Sequence, residues 1–187
     1  MPPSDTVKMK MTEVSHLHVE NGSIMTFIEL AKMLSAENSD ADLSLTVEFG
    51  SEREVFAVHK FKLITHSDVF ATMFDHNTKE SKTYAITIEG FSISAVRNLL
   101  VFIYTGSVSL GNLELEEVFH VMLLADKYII PALKSMCEQE LISRVRPTNV
   151  AECVELADFC GANVLYEHCL SLDRNPALTI TIMERMV

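Results

Sequence analysis

Glycine and proline are scarce in this sequence, with 6 and 5 among 187 residues. That excludes collagen-like repeats and the Gly/Pro-rich composition of low-complexity chains. Basic residues are few as well: Lys and Arg total 15 against 26 Asp and Glu, a formal charge of −11. A surface for nucleic acid or for an anionic membrane leaflet needs clustered cations, so neither partner is expected. Long apolar runs are missing. The longest unbroken one, Leu99 to Tyr104, is far too short to span a bilayer. No apolar stretch follows Lys8 and Lys10, so the N-terminus is not read as a secretory signal, and nucleus or cytoplasm is the expected location. Cysteine pairs are missing too. Cys137, Cys153, Cys160 and Cys169 contain no CxxC pattern and match neither a zinc site nor a small disulfide scaffold. They read as reduced thiols packed on helix faces.

What is present is an apolar fraction of 48% laid out in clear periods. The length suits one domain of ordinary size with a small extension, enough to bury a core without disulfides. Leu43, Leu45, Val47 and Phe49 alternate with polar residues, which predicts a strand. Gly50 and Ser51 turn the chain, and Val55, Phe56 and Val58 return it as a hairpin. Phe61, Leu63 and Ile64 start a short helix, and Ser67 caps the next one, whose apolar face is Val69, Phe70, Met73 and Phe74. A charged loop from Asp75 to Lys82 leads into a third strand at Tyr84, Ile86 and Ile88. Beyond Gly90 the pattern is helical. Ile93, Val96, Leu99, Leu100 and Ile103 form one face and Gly106 stops that helix. Leu115, Val118, Phe119, Met122 and Leu123 form the next face. Pro131 opens a helix carrying Leu133, Cys137 and Leu141. After Pro147, Asn149 and Glu152 are spaced as a capping box for a helix with Val150, Cys153, Ala157 and Cys160, and Val164 to Leu172 is the last helix. Near the N-terminus, Phe27, Leu30, Met33 and Leu34 are spaced for an amphipathic helix, preceded by polar residues that read as mostly disordered or as one loose strand around Ser15 to Val19.

The fold class is therefore α+β. A small sheet of about three strands needs helices packed on it to close a core, and a helical extension follows. The organisation read from these patterns is a flexible segment at 1–24, an N-terminal helix at 25–37, a main domain at 38–143 and a helical extension at 144–187.

The ordered set of motifs resembles the BTB/POZ domain, and most of all the speckle-type POZ proteins. The resemblance rests on Asp42-Leu43-Ser44-Leu45-Thr46-Val47, Val58-His59-Lys60, Ser67-Asp68-Val69-Phe70 with Met73-Phe74, Phe102-Ile103-Tyr104-Thr105-Gly106, Ala125-Asp126-Lys127-Tyr128 and Leu133 through Glu138. Each motif alone is weak, while their order from Asp42 to Leu172 is specific. The resemblance implies a BTB/POZ fold whose extension is similar to the 3-box and the start of a BACK region. It also implies a protein-interaction module without catalysis or cofactor, serving as substrate adaptor or regulator of a cullin-3 RING ubiquitin ligase. The substrate protein is not identified by it. The speckle-type relatives carry a MATH domain ahead of the BTB domain, and residues 1–36 are too few for one.

By the same resemblance the cullin-3 contact falls on Phe74, Asp75, His76, Thr78, Glu80 and Tyr104, together with the extension. Relatives carry a hydrophobic–x–Glu triplet in this loop, which here is Thr78-Lys79-Glu80. Thr in place of a larger apolar anchor gives up about 1–2 kcal/mol of burial, with Phe74 as the replacement anchor. The resemblance also implies a dimer, with itself or another BTB protein, through Phe27, Leu30, Met33, Leu34, Asp42, Phe61 and Lys62. Lys62 stands where relatives carry an aliphatic residue, and it either snorkels, pairs with Asp42 of a partner or weakens the dimer. A scaffold that oligomerises, or a transcription-associated regulator, neither touching cullin-3, is the rival reading.

Other chemistry finds little support. His59 lacks a nucleophile or a carboxylate at a recognisable spacing and reads as a structural residue at a helix start. His66 and His76 lie near Asp75 without a defined ligand spacing, so no metal is expected. The ten methionines read as core filler. Glu114, Glu116 and Glu117 open a helix, where negative charge suits the dipole.

Overall fold

The computed structural model describes residues 40–75 and 78–172. The N-terminal helix with Phe27, Leu30, Met33 and Leu34, the segment before it, and His76 lie outside these residues. Strands β1 (Leu43–Phe49) and β2 (Glu52–Val58) form the expected hairpin, and β3 (Ala85–Glu89) joins the other edge of β1. The sheet order is β2-β1-β3, with β1 antiparallel to β2 and parallel to β3. Leu45 stands beside Phe56 on one side and Ile86 on the other. Leu43, Leu45, Val47, Phe56, Val58, Ile86 and Ile88 are all buried, so one face of the sheet is core. The opposite face carries Ser44, Thr46 and Glu48. That is the period-two division expected of a half-covered sheet.

Eight helices account for the rest of the regular structure among the described residues. They are α1 (Lys60–His66), α2 (Asp68–Met73), α3 (Lys79–Thr83), α4 (Ile93–Thr105), α5 (Leu115–Lys127), α6 (Pro131–Arg144), α7 (Val150–Cys160) and α8 (Asn163–Leu172). Helix α4 packs on β1 and β2, and α5 to α8 stack outward from it. The expected caps at Ser67 and Gly106 form, and Pro131 opens its helix as expected.

Three local expectations are corrected. The charged loop contains α3, because the Thr78 hydroxyl accepts from the Ser81 N–H at 3.1 Å and starts a helical turn. Tyr84 is not in the third strand. Its backbone is left-handed at φ 51° and ends α3, so the strand begins at Ala85. Asn149 does not form a capping box with Glu152. Its amide turns backward instead, with Oδ1 accepting from the Arg146 N–H (2.7 Å) and Nδ2 donating to the Arg144 carbonyl (3.2 Å). The groups left open at the end of α6 claim that side chain before α7 can use it.

Two fastenings hold the helices together. Ser67, the one buried polar residue among those described, accepts from the Phe70 N–H at 3.2 Å and donates to the Tyr128 carbonyl at 2.5 Å. The Phe70 and Tyr128 rings stack above it, 4.3 Å between centroids. Farther out, α6 ties the extension to the domain. Lys134 Nζ donates to Asp126 Oδ1 (2.7 Å) and to the carbonyl of Cys160 at the end of α7. Glu138 Oε1 accepts the Leu165 N–H in the first turn of α8 (2.9 Å). Arg144 donates to the carbonyls of Leu110 and Leu113 ahead of α5.

Replacing Ser67 by Ala removes a helix cap and orphans a buried carbonyl. It is expected to cost about 2–3 kcal/mol in urea denaturation, whereas the exposed neighbour change Asp68→Ala is expected to cost well under half of that.

Candidate functional site

The junction between β2 and α1 brings together residues that are far apart in sequence. A helix start leaves N–H groups without intrahelical partners. Here His59 occupies the capping position, but its side chain does not cap. Asp42 Oδ1, from the residue before β1, accepts the Lys60 N–H at 2.7 Å. The Tyr104 hydroxyl, from the last turn of α4, accepts the His59 N–H at 2.8 Å and shares a hydrogen bond with His59 Nδ1 at 2.8 Å. Burial pushes the Tyr104 phenol above its ordinary value; the His59 N–H acts in the opposite sense and the nearby Asp42 charge adds to the rise. The hydroxyl therefore stays protonated at neutral pH.

Two lysines close over this junction. Lys62 Nζ lies 5.7 Å from the Tyr104 ring centroid, and Lys60 Nζ lies 4.8 Å from that of Phe74. Lys62 thus snorkels across an aromatic face of its own chain. Phe61, between them, is 66% exposed and presents its ring to solvent. Of the residues expected in a dimer contact, Asp42, Phe61 and Lys62 cluster here.

The expected cullin-contact residues divide. Asp75 is exposed, and Thr78, Glu80 and Tyr104 are half-buried. Phe74 is buried at 7% exposure under the Lys60 ammonium. Its ring belongs to the core and offers little surface as a replacement anchor. Thr78 is not an anchor either. Its hydroxyl donates to the Met73 carbonyl at 2.6 Å while capping α3.

A second surface lies between α5 and α7. Leu115, Phe119 and Leu123 from α5 and Leu156 and Phe159 from α7 floor an open groove of about 900 Å³. Glu114, Glu116, Glu152 and Glu155 rim it, with no basic residue in the lining. Phe159 is 77% exposed. The apolar period of α5 is read from sequence as one core face. The buried set is in fact Val118, Val121, Met122, Leu124 and Ala125, and Phe119 and Leu123 sit beside it facing the groove. The sequence signal was the width of the apolar stripe, more than a single buried face needs.

Among the described residues, no group of three or more His, Cys, Asp or Glu is placed to hold a metal ion. The His66 imidazole is engaged locally, with Nδ1 donating to the Lys62 carbonyl at 3.0 Å.

The junction is testable by stability. Tyr104→Phe keeps the ring and deletes the hydroxyl, leaving the His59 N–H and Nδ1 without their partner. The expected loss is about 1–3 kcal/mol by urea denaturation. A change within about 0.3 kcal/mol would show that water replaces the hydroxyl fully.

The BTB/POZ domain family profile matches residues 30–145. The BTB and MATH domain-containing protein 40 of Caenorhabditis elegans is 34% identical over 171 residues, covering 91% of this chain and 40% of that protein. A BTB/POZ domain-containing protein of Arabidopsis thaliana is 26% identical over 142 residues, covering 75% of this chain and 50% of that protein. The chain therefore spans half or less of the length of these two relatives. Among solved structures, the BTB domain of zebrafish PATZ1 is 20% identical with a TM-score of 0.47, covering 69% of this chain and 100% of that domain. With the profile covering well over half of its length, the chain belongs to the BTB/POZ domain family.

Proposed function

We propose that this BTB/POZ chain is a protein-interaction adaptor that acts as substrate adaptor or regulator of a cullin-3 RING ubiquitin ligase. The observation that carries the reading is the apolar groove between α5 and α7, open to solvent and walled by the helical extension. An adaptor needs desolvatable anchors ringed by polar groups, since a few buried residues dominate interface energy. Phe159 and Phe119 supply anchors, and the four glutamates supply the ring. Asp75 and Glu80 add acidic contacts on the loop before β3. With Thr78 occupied as a helix cap and Phe74 in the core, the burden of apolar contact moves from that loop to the groove. The substrate-holding part is a separate matter, and the MATH domain named in the nematode relative is one way such a protein holds a substrate.

The rival reading is a BTB scaffold that self-associates without cullin contact. The exposed Phe61 beside Lys62 and Asp42 favours it, because an aromatic ring at 66% exposure suits a two-fold contact. In this reading Lys62 stays on its own Tyr104 ring and leaves Asp42 to cap α1.

Calorimetry with the full chain and the N-terminal region of cullin-3 separates the two. The adaptor reading expects micromolar or tighter binding, weakened roughly tenfold or more by Phe159→Glu and by Glu80→Lys, with Phe61→Glu neutral. No binding at concentrations of tens of micromolar sinks the adaptor reading. A dimeric mass by light scattering that Phe61→Glu reduces to monomer, without cullin binding, establishes the scaffold.

A further inference from the structure

Among the described residues the two most exposed large apolar side chains are Phe159 at 77% and Phe61 at 66%. They stand in opposite electrostatic surroundings. Phe61 is the second residue of α1, between Lys60 and Lys62. The two ammonium groups rest on the Phe74 and Tyr104 rings, 4.8 and 5.7 Å from the centroids. Contacts of this kind are weak at a surface, so both ammonium groups can turn to a carboxylate of another molecule. Phe159 lies in the groove between α5 and α7, with Glu114 and Glu116 at the start of α5 and Glu152 and Glu155 on α7. All four glutamates are exposed. One surface is thus a ring flanked by two cations, and the other an apolar floor flanked by two pairs of anions.

We propose that the Lys60-Phe61-Lys62 knob of one copy of this chain seats in the α5–α7 groove of a second copy. The Phe61 ring enters beside Phe119 and Phe159, and the two lysines meet the glutamate rim. The groove, about 900 Å³, takes the ring together with the lysine stems. The knob does not fill the groove of its own chain: Phe61 is largely exposed, and none of residues 60–62 lines that groove. Net charge of −11 sets copies of this chain against one another. A contact between copies therefore has to pair opposite local charges, and the knob and the groove do so.

Such a contact is heterologous, since two different patches meet. Each joined pair keeps one free knob and one free groove, so the assembly grows past two chains or closes as a ring. A single aromatic anchor makes a small interface, and association is expected in the weak range, at about 100 µM. In the adaptor role proposed above, a copy seated in the groove keeps cullin-3 out. That consequence rests on the adaptor reading, and the contact between copies does not.

Sedimentation velocity of the full chain alone, without cullin-3, tests the contact over roughly 10–500 µM. The weight-average mass of the wild-type chain is expected to climb past that of two chains. Phe61→Glu and Phe159→Glu each replace an exposed side chain, so both variants fold, and each alone is expected to lose the climb. An equal mixture of the two is expected to associate again, because Phe61→Glu keeps the groove and Phe159→Glu keeps the knob. The mixed contact is expected to be at least about tenfold tighter than either variant with itself. A wild-type mass that does not grow with concentration overturns the proposal. So does a dimer that Phe61→Glu breaks and Phe159→Glu leaves intact, which is the mark of a two-fold contact. A mixture no more associated than its separate parts overturns it as well.

Discussion

The hydroxyl of Tyr104 is the constraint on which the placement of the surfaces depends. The chain leaves β2 and starts α1 without a turn of its own that satisfies the backbone, so the missing partners come from elsewhere. Tyr104 supplies them from the end of α4 and Asp42 from the approach to β1. Three separate elements are thereby fixed to one another at one spot. Lys60 extends the connection: its N–H is held by Asp42, and its ammonium rests on Phe74 at the start of the loop before β3. The position of that loop is thus tied to the start of the sheet, and the exposed Phe61 ring is held in place between two anchored lysines.

The strands and most helices are legible in the sequence because each buries one regular face. Alternation at Leu43, Leu45 and Val47, and helical spacing from Ile93 to Ile103, translate directly into burial. The reading fails where local pattern and backbone geometry part. Tyr84 continues the alternation of Ile86 and Ile88, yet its left-handed backbone ends a helix. Asn149 has the spacing of a capping box, yet the unsatisfied end of α6 takes its amide. The candidate site is less legible than the fold. Asp42, His59 and Tyr104 meet through contacts separated by tens of residues, and no local period encodes them. The groove is hidden for the same reason: Phe119 and Leu123 look like core until α7 is seen to stand across from them.

Electrostatics gives the groove a direction. An acidic rim on a chain of net charge −11 repels other acidic surfaces and draws in basic ones, an effect on encounter rate and partner choice more than on final affinity. In the proposed adaptor role the apolar floor then sets the lifetime of the contact. Because Lys134, Glu138 and Arg144 fasten the outer helices to the domain, the two walls of the groove are held by the same helix, α6, that lies behind them. Shape and charge are therefore presented on a rigid support.

The parallel pairing of β1 with β3 has a kinetic consequence. A parallel neighbour cannot be reached by a tight turn, so the intervening helices must be built before β3 can dock. During synthesis the first hairpin emerges with Leu45, Val47 and Phe56 on one face, and α4, the described helix that packs on both β1 and β2, follows only later. The order of the strands alone therefore gives the chain a stage in which apolar sheet surface is open, the kind of surface that makes folding intermediates prone to aggregate.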